Sequence, residues 1–208
     1  MMYLSRLILD PRSRRAQQES ADLYQMHRSI MRAFPENLPA DERVLFRCDT
    51  DRLTGVLTVL VQSIHAPDWS WLNGKEGRGY LLNTSLPNPD VKEFLLPSRP
   101  GQQFIFRLRA NPTVKRDGKR HALWQEEEQI EWLLRKADAG GFRVLSVRMQ
   151  ELGNVQGWTS NRNRLNLFAV QYEGALEVLD PDLLTETLQN GIGPGKGIGF
   201  GLMSLARG

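Results

Sequence analysis

Two Asp-Pro pairs constrain the fold of this chain strongly, because each opens a stretch with helical character. Asp10-Pro11 follows an apolar segment at residues 2–9 that is typical of a strand, and Asp180-Pro181 opens a segment that ends at Gly191. Aspartate is a favoured N-cap, and proline is accepted at the first helical position. The two pairs therefore predict one helix start near each end of the chain.

The first half of the chain has the element order of a split βαβ unit. Residues 22–34 carry apolar side chains at helical spacing, which predicts an amphipathic helix, whereas the polar residues 12–21 predict irregular turns. Residues 101–110 alternate apolar and charged side chains, which predicts a half-buried strand. The remaining predicted elements are strands at residues 2–9, 43–48 and 56–64 and a short helix at residues 91–95.

The second half repeats this order. Its predicted elements are strands at residues 121–124, 141–150, 165–172 and 198–205 and helices at residues 125–137 and 181–191. We therefore expect an α+β chain of two tandem ferredoxin-like domains (βαββαβ, RRM-like), with the N-terminal domain at residues 1–112 and the C-terminal domain at residues 113–208.

Composition excludes several classes of protein. The sequence has 208 residues and a single cysteine, Cys48, so it predicts neither an intramolecular disulfide nor a cysteine-rich zinc site, which fits a reducing cytosol. Its three histidines are too far apart for a short zinc motif, and no apolar run approaches the length of a membrane span. We therefore expect no metal, no cofactor and no membrane association.

A glycine-rich run near the C-terminus is the most unusual motif. Glycine occupies every second position, with Lys196 in the middle of the run: Gly191, Gly193, Gly195, Gly197, Gly199 and Gly201. Exposed backbone N–H groups with one cation can cradle a phosphate, but a tight turn that leads into a strand uses the same residues. The run is not a Walker A motif, because the lysine is not followed by Ser or Thr.

One edge of the first helix carries Tyr24, His27 and Arg28, with Arg32 one turn further along. A histidine can exchange a proton at neutral pH, a tyrosine hydroxyl can position an oxygen, and arginines stabilise phosphate charge. These groups suffice to cleave RNA without a metal, by attack of a ribose 2′-OH on the adjacent phosphorus. Packing at the boundary of the core would also account for the Tyr–His pair.

Basic residues are clustered although the formal net charge is only +3. The clusters predict contacts with phosphate groups, because cations of this kind bind nucleic-acid backbones. Acidic residues at 126–128 and Glu131 hide this segregation in the total charge. The clusters are Arg12, Arg14 and Arg15; the segment 107–120, which contains Lys115, Arg116, Lys119 and Arg120; and Arg162 with Arg164.

Taken together, these motifs resemble the CasE family of CRISPR RNA-processing endoribonucleases of type I-E systems, over essentially the whole chain. The motifs that carry the resemblance are Asp10-Pro11 with the arginines that follow, the Tyr24-x-Met26-His27-Arg28 helix, Val61-Gln62-Ser63, Pro67-Asp68-Trp69-Ser70, the strand that ends in Asn111-Pro112, the Tyr172-Glu173-Gly174 turn, Leu176-Glu177-Val178, Asp180-Pro181 and the closing GIGPGKGIGFGL run. The resemblance implies the two ferredoxin-like domains predicted above, with an RNA-binding groove.

The resemblance also implies a function. Such proteins bind the stem-loop of the CRISPR repeat and cleave pre-crRNA at the 3′ base of the hairpin without metal. They leave a 5′-hydroxyl and a 2′,3′-cyclic or 3′ phosphate, and they retain the crRNA as a cytoplasmic subunit of the Cascade complex in antiviral defence. His27 matches the catalytic histidine, as general base or general acid, and Tyr24 matches the catalytic-site tyrosine. Expected RNA contacts are Arg28, Arg32, Lys115, Arg116, Lys119, Arg120, Arg162, Arg164 and Lys196.

The main alternative is an RNA-hairpin-binding subunit of the same complex without catalytic activity. In that case Tyr24 and His27 serve only in packing. A small-molecule phosphate-binding protein would use the glycine run but would leave the basic clusters unexplained.

Overall fold

The computed structural model describes residues 1–158 and 164–207, and the chain forms two compact units. The first unit contains Met1–Leu95, the described residues between 156 and 165, and Gly197–Gly199. The second contains Leu96–Val155, Asn166–Lys196 and the described residues from Phe200 onward. Each unit has a four-stranded antiparallel sheet, so the α+β prediction of two ferredoxin-like folds is confirmed.

The first sheet has the strand order β2-β3-β1-β4, with β1 in contact with both β3 and β4. Two short 3-10 turns stand where the second helix of a ferredoxin-like unit normally lies. The elements are β1 (Met2–Leu9), α1 (Arg14–Ala21), α2 (Leu23–Met31), β2 (Leu45–Thr50), β3 (Leu57–Ser63), the 3-10 turns Ser70–Asn73 and Lys75–Gly77, and β4 (Asp90–Phe94).

Three local predictions for this unit are wrong. Residues 91–95 form most of a strand rather than a helix, because pairing of Met2 with Phe94 and of its neighbours adds a fourth strand beside β1. The polar residues 12–21 contain the regular helix α1. Its N-cap is Ser13 rather than Asp10, whose carboxylate accepts the Arg12 N–H at 2.9 Å in a tight turn.

The second sheet has the strand order β10-β5-β9-β8. The chain order β5-α3-β8-β9-α4-β10 gives the complete βαββαβ pattern. A separate hairpin, β6-β7, is inserted between β5 and α3. The elements are β5 (Gln103–Ala110), β6 (Thr113–Arg116), β7 (Lys119–Ala122), α3 (Glu126–Ala139), β8 (Phe142–Trp158), β9 (Arg164–Val178), α4 (Pro181–Asn190), a 3-10 turn at Lys196–Ile198, and β10 (Met203–Ala206).

These pairings correct the expected domain boundary near residue 112. Strand β5 was expected to close the first domain, but it pairs with β9 and β10 and opens the second. In the first sheet both edges of β1 are already occupied by β3 and β4, so β5 has no place beside β1. The N-terminal segment of the first unit therefore ends at Leu95, and the second unit begins at Leu96.

Two further differences concern β9 and the glycine-rich run. Tyr172-Glu173-Gly174 lies inside β9 rather than in a turn, and Gly174 permits a close backbone approach, since a Cβ there would lie 1.9 Å from the Ser146 carbonyl oxygen. The last strand begins at Met203 rather than residue 198, because Gly199 and Gly201 have positive φ angles that a regular strand does not allow.

A buried carboxylate fixes α1 against α2 and orients the latter. Glu19, which is 5% exposed, accepts hydrogen bonds from Arg15 at 2.7 Å, from the Ser29 hydroxyl at 2.5 Å and from the Tyr80 hydroxyl at 2.5 Å. Burial and the nearby Glu19 carboxylate raise the pKa of Tyr80, so its hydroxyl remains a donor at neutral pH. Because Ser29 lies on α2, this cluster sets the position of that helix.

We predict that Glu19→Ala lowers the free energy of unfolding by about 3 kcal/mol, because its buried donors lose their acceptor. Urea denaturation followed by circular dichroism measures the loss. The matched control is Glu131→Ala on α3, where the carboxylate is 70% exposed and forms a 3.7 Å ion pair with Arg135, and we expect at most about 0.5 kcal/mol. Equal losses in the two variants would contradict the proposed role of Glu19.

Candidate active site

Helix α2 presents a polar edge beside its buried face. Its N-cap is Asp22, whose carboxylate accepts the Tyr24 N–H at 3.1 Å. The apolar face of α2 is buried, whereas Tyr24 and His27 are half-buried and Arg28 is exposed. Residues three and four apart share one side of a helix, so these three side chains lie along one edge.

His27 is set against the first sheet. Its ring stacks on Phe46 of β2, with centroids 6.2 Å apart and an interplanar angle of 20°. The Nδ1 atom is buried and has no hydrogen-bond partner among the described residues. Burial lowers the pKa of His27 below its usual value, because the imidazolium ion would lose its hydration. The ring is therefore mainly neutral at pH 7 and can accept a proton.

The glycine-rich run meets this helix edge at two positions. A Cβ atom at Gly197 would lie 4.0 Å from His27 Nε2, and Gly197 is exposed. Gly199 is buried and has a φ of +82°; a Cβ there would lie 3.2 Å from Phe46 and 3.4 Å from Leu23. Gly197 therefore borders the space next to Nε2, and Gly199 packs against the ring that supports His27, an adjacency that sequence spacing does not reveal.

The other glycines of the run serve the turn structure of the second unit. Gly191 ends α4 with a φ of 70°. Side chains at Gly193, Gly195 and Gly201 would combine a positive φ with contacts of 2.8 to 2.9 Å to Trp132, Leu167 and the Ile192 carbonyl, respectively. The tight-turn interpretation accounts for these four glycines.

The partners of Arg32 are Trp71 and Glu76 rather than the residues of the His27 edge. Its guanidinium stacks on Trp71 at 4.3 Å from the ring centroid and forms an ion pair with Glu76. Arg15 stacks on the same indole ring at 4.7 Å and also binds Glu19. Arginines in this region are therefore engaged within the first unit, and Arg12 likewise pairs with Asp10 at 3.0 Å.

The basic segment of the second unit forms the β6-β7 hairpin. Its turn is Asp117-Gly118, with φ angles of 49° and 76° that match a two-residue hairpin turn. The register places Lys115 opposite Arg120 and Arg116 opposite Lys119, and all four residues are exposed. Like charges directly opposite each other repel, so an anion bound at this hairpin would relieve the repulsion.

A cavity of about 670 Å³ adjoins the hairpin within the second unit. Its lining includes Lys136, which was not among the predicted RNA contacts. Lys136 follows Trp132 by four residues on α3, and the Lys136 Nζ atom lies 6.0 Å from the centroid of the Trp132 ring. That spacing was the available sequence signal. The cationic side chains in the lining are Lys115, Arg120, Lys136 and Lys196.

Two predicted contacts fall at the undescribed segment. Arg162 lies outside the described residues, and Arg164 is the first residue of β9, with its side chain also outside them. Within residues 1–158 and 164–207, no three His, Cys, Asp or Glu side chains are grouped to hold a metal ion. None of the helices in those ranges is long and apolar enough to cross a membrane.

Comparison with known proteins identifies the family. A family model described as CRISPR associated protein matches residues 2–207. The chain belongs to this family. It is 37% identical to the CRISPR-associated endoribonuclease Cse3 of Thermus thermophilus, over 99% of this chain and 100% of the relative, and 29% identical to the CRISPR system Cascade subunit CasE of Escherichia coli, over 99% of each. The resemblance predicted from the motifs is thereby confirmed.

Solved structures agree with the sequence relatives. The chain matches Thermus thermophilus Cse3 bound to an RNA representing a pre-cleavage complex with a TM-score of 0.85 and 38% identity, covering 99% of this chain and 98% of the other. It matches Cas6e from Escherichia coli with a TM-score of 0.70 and 28% identity, covering 99% of both. These likenesses extend over both ferredoxin-like units.

We predict that the contribution of His27 to stability declines as the pH falls. Because its folded-state pKa lies below the unfolded value of 6.5, the unfolded chain binds the proton more tightly. The contribution is therefore fully present above pH 6.5 and is lost as the pH falls from there toward the folded-state pKa. Denaturation at about pH 7.5 and about pH 5.5 gives the free energies of unfolding of the wild type and of His27→Asn. We expect the difference between the two proteins to be smaller at the lower pH.

The matched substitution is His121→Asn on the exposed strand β7. A difference between wild type and His27→Asn that stays constant or widens on acidification would contradict the burial argument.

Proposed function

We propose that this chain is a metal-independent endoribonuclease that cleaves CRISPR repeat RNA at the 3′ base of its stem-loop and retains the product as a cytoplasmic subunit of Cascade. The observation that carries the proposal is the half-buried His27, whose Nε2 faces the exposed Gly197 on an edge shared with Tyr24 and Arg28. The name of the Thermus relative and the RNA-bound structure of that protein support the same activity.

The reaction transfers the phosphorus from the O5′ atom of one nucleotide to the 2′-oxygen of the preceding nucleotide. The 2′-oxygen attacks the adjacent phosphorus as its proton leaves, the bond from phosphorus to O5′ breaks, and O5′ takes up a proton. The products are a 2′,3′-cyclic phosphate and a 5′-hydroxyl. His27 exchanges a proton at Nε2, and Tyr24 and Arg28 orient and stabilise the phosphoryl oxygens. Because burial keeps the imidazole mainly neutral, we assign His27 as the group that accepts the 2′-OH proton.

The RNA stem is held by cationic side chains of the second unit. Double-stranded RNA is recognised largely through its phosphates and 2′-hydroxyls. The β6-β7 hairpin presents four exposed cations, and the cavity beside it adds Lys136 and Lys196. Binding there relieves the repulsion between the like-charged pairs, so it favours retention of the product after cleavage.

We predict that the wild-type protein cleaves a repeat hairpin RNA in EDTA and that His27→Ala reduces the single-turnover rate by about 100-fold or more. The 2′-deoxy substitution at the nucleotide 5′ of the scissile phosphate should abolish cleavage and leave binding intact. Cleavage that depends on added divalent metal would refute metal independence. Tight binding without cleavage by the wild type would instead establish the non-catalytic subunit.

A substrate with sulfur in place of O5′ tests the assignment of the proton. A thiolate leaves without protonation, so loss of a general acid is tolerated with this substrate, whereas loss of a general base is not. We expect His27→Ala to remain slow on the 5′-thio substrate. Recovery to about the wild-type rate would reassign His27 as the general acid.

We predict that Lys115→Ala weakens binding of the repeat hairpin and lowers the slope of log Kd against log salt by about 1, as expected for one lost phosphate contact. Filter binding over a range of salt concentrations gives both values. The matched control is Lys92→Ala on β4, an exposed lysine 3.9 Å from Asp90, which changes the net charge equally. If both variants show the same increase in Kd and the same decrease in the salt slope, overall charge rather than the hairpin holds the RNA.

A further inference from the structure

We propose that Gly197 lets the substrate reach the histidine. Because Gly197 has no side chain, the space beside His27 Nε2 stays open for the reacting phosphodiester. This inference rests on the proposed function and deepens it. It concerns a position that neither touches RNA through a charge nor supplies a proton. Its role is to keep one side of the site open.

The backbone does not explain a glycine at this position. Gly191, Gly193, Gly195, Gly199 and Gly201 all have φ angles between 70° and 88°, where other residues are strained. Gly197 does not have a positive φ, and it lies within an ordinary 3-10 turn, Lys196–Ile198. Any L-residue can adopt its conformation.

Packing does not explain the glycine either. A Cβ atom at Gly193, Gly195, Gly199 or Gly201 would come within 3.2 Å of a neighbouring atom, whereas the nearest described atom to a Cβ at Gly197 is His27 Nε2 at 4.0 Å. That distance is an ordinary van der Waals contact. Gly197 is also exposed, so a small side chain has room in the protein without RNA.

Proton transfer does require the space beside His27 Nε2. A proton moves between a side chain and a substrate oxygen only when the two heavy atoms come within about 2.6–3.2 Å. A side chain at position 197 would begin 4.0 Å from Nε2, and its further atoms would compete with the substrate oxygen for the space beside that nitrogen. Since misplacement of the reacting atoms by about 1 Å can cost about 100-fold in rate, even a few added carbons should impair cleavage.

The test is a size series, Gly197→Ala and Gly197→Val, with Gly74→Ala as the matched control. Gly74 likewise has no positive φ, since its backbone is extended with a φ of −85°, and a Cβ there would meet only the Trp71 carbonyl oxygen at 3.5 Å. We expect about 10-fold slower single-turnover cleavage for the alanine variant and about 100-fold for the valine variant. The Kd for the 2′-deoxy hairpin and the melting temperature should stay close to wild type, and Gly74→Ala should cleave normally.

A second readout does not depend on catalysis. Diethyl pyrocarbonate carbethoxylates accessible imidazole nitrogens, and mass spectrometry of the RNA-free protein reports the rate at His27. We expect this rate to fall in the order wild type, Gly197→Ala, Gly197→Val. Gly74→Ala should react at the wild-type rate.

The outcomes separate this inference from the proposed function. If His27→Ala retains cleavage, the proposed function fails. If His27→Ala is inactive while both Gly197 variants cleave at the wild-type rate, only the role of Gly197 is overturned. Loss of hairpin binding in a folded Gly197→Ala variant would overturn it as well, because the residue would then serve docking. Should the valine variant not fold, the alanine variant decides.

Discussion

The hydrogen bonds to the buried carboxylate of Glu19 are the interaction on which the candidate active site depends. A carboxylate is stable in such surroundings only when its oxygens are fully hydrogen-bonded, and the guanidinium of Arg15 with the hydroxyls of Ser29 and Tyr80 meets that need. Because Ser29 is two residues from His27, the same contacts that satisfy the carboxylate also fix the rotation of α2. Rigid support of this kind keeps a reacting side chain in place without a direct partner.

Packing against Phe46 holds His27, and the described residues offer no hydrogen bond to its Nδ1 atom. The stack on Phe46 and the burial of Nδ1 orient the ring, and the absence of a partner for Nδ1 among the described residues makes the charged form costly. The histidine is therefore fixed in position and tuned toward neutrality by the same burial.

Sequence reasoning succeeded where local chemistry decides the structure. The Asp180-Pro181 cap, the apolar alternation of β5 and the helical edge with Tyr24 and His27 all follow from side-chain type and spacing.

Prediction from the sequence failed where contacts with residues distant in the chain decide the structure. Helix α1 looks irregular because the contacts that stabilise it come from Ser29 and Tyr80, and β4 is a strand because β1 has a free edge. The sheet to which β5 belongs, and the approach of Gly197 to His27, depend on tertiary pairing that no local pattern encodes.

The first unit includes Gly197–Gly199, which follow most of the second unit in the sequence. A fragment that stops at Leu95 would contain every strand of the first sheet and the whole of α2, yet it would lack the backbone that borders His27 Nε2. The two ferredoxin-like units are thus not interchangeable modules, since the unit that carries His27 also includes residues 197–199. Loss of residues 197–199 would remove the backbone beside His27 Nε2 while leaving α2 itself untouched.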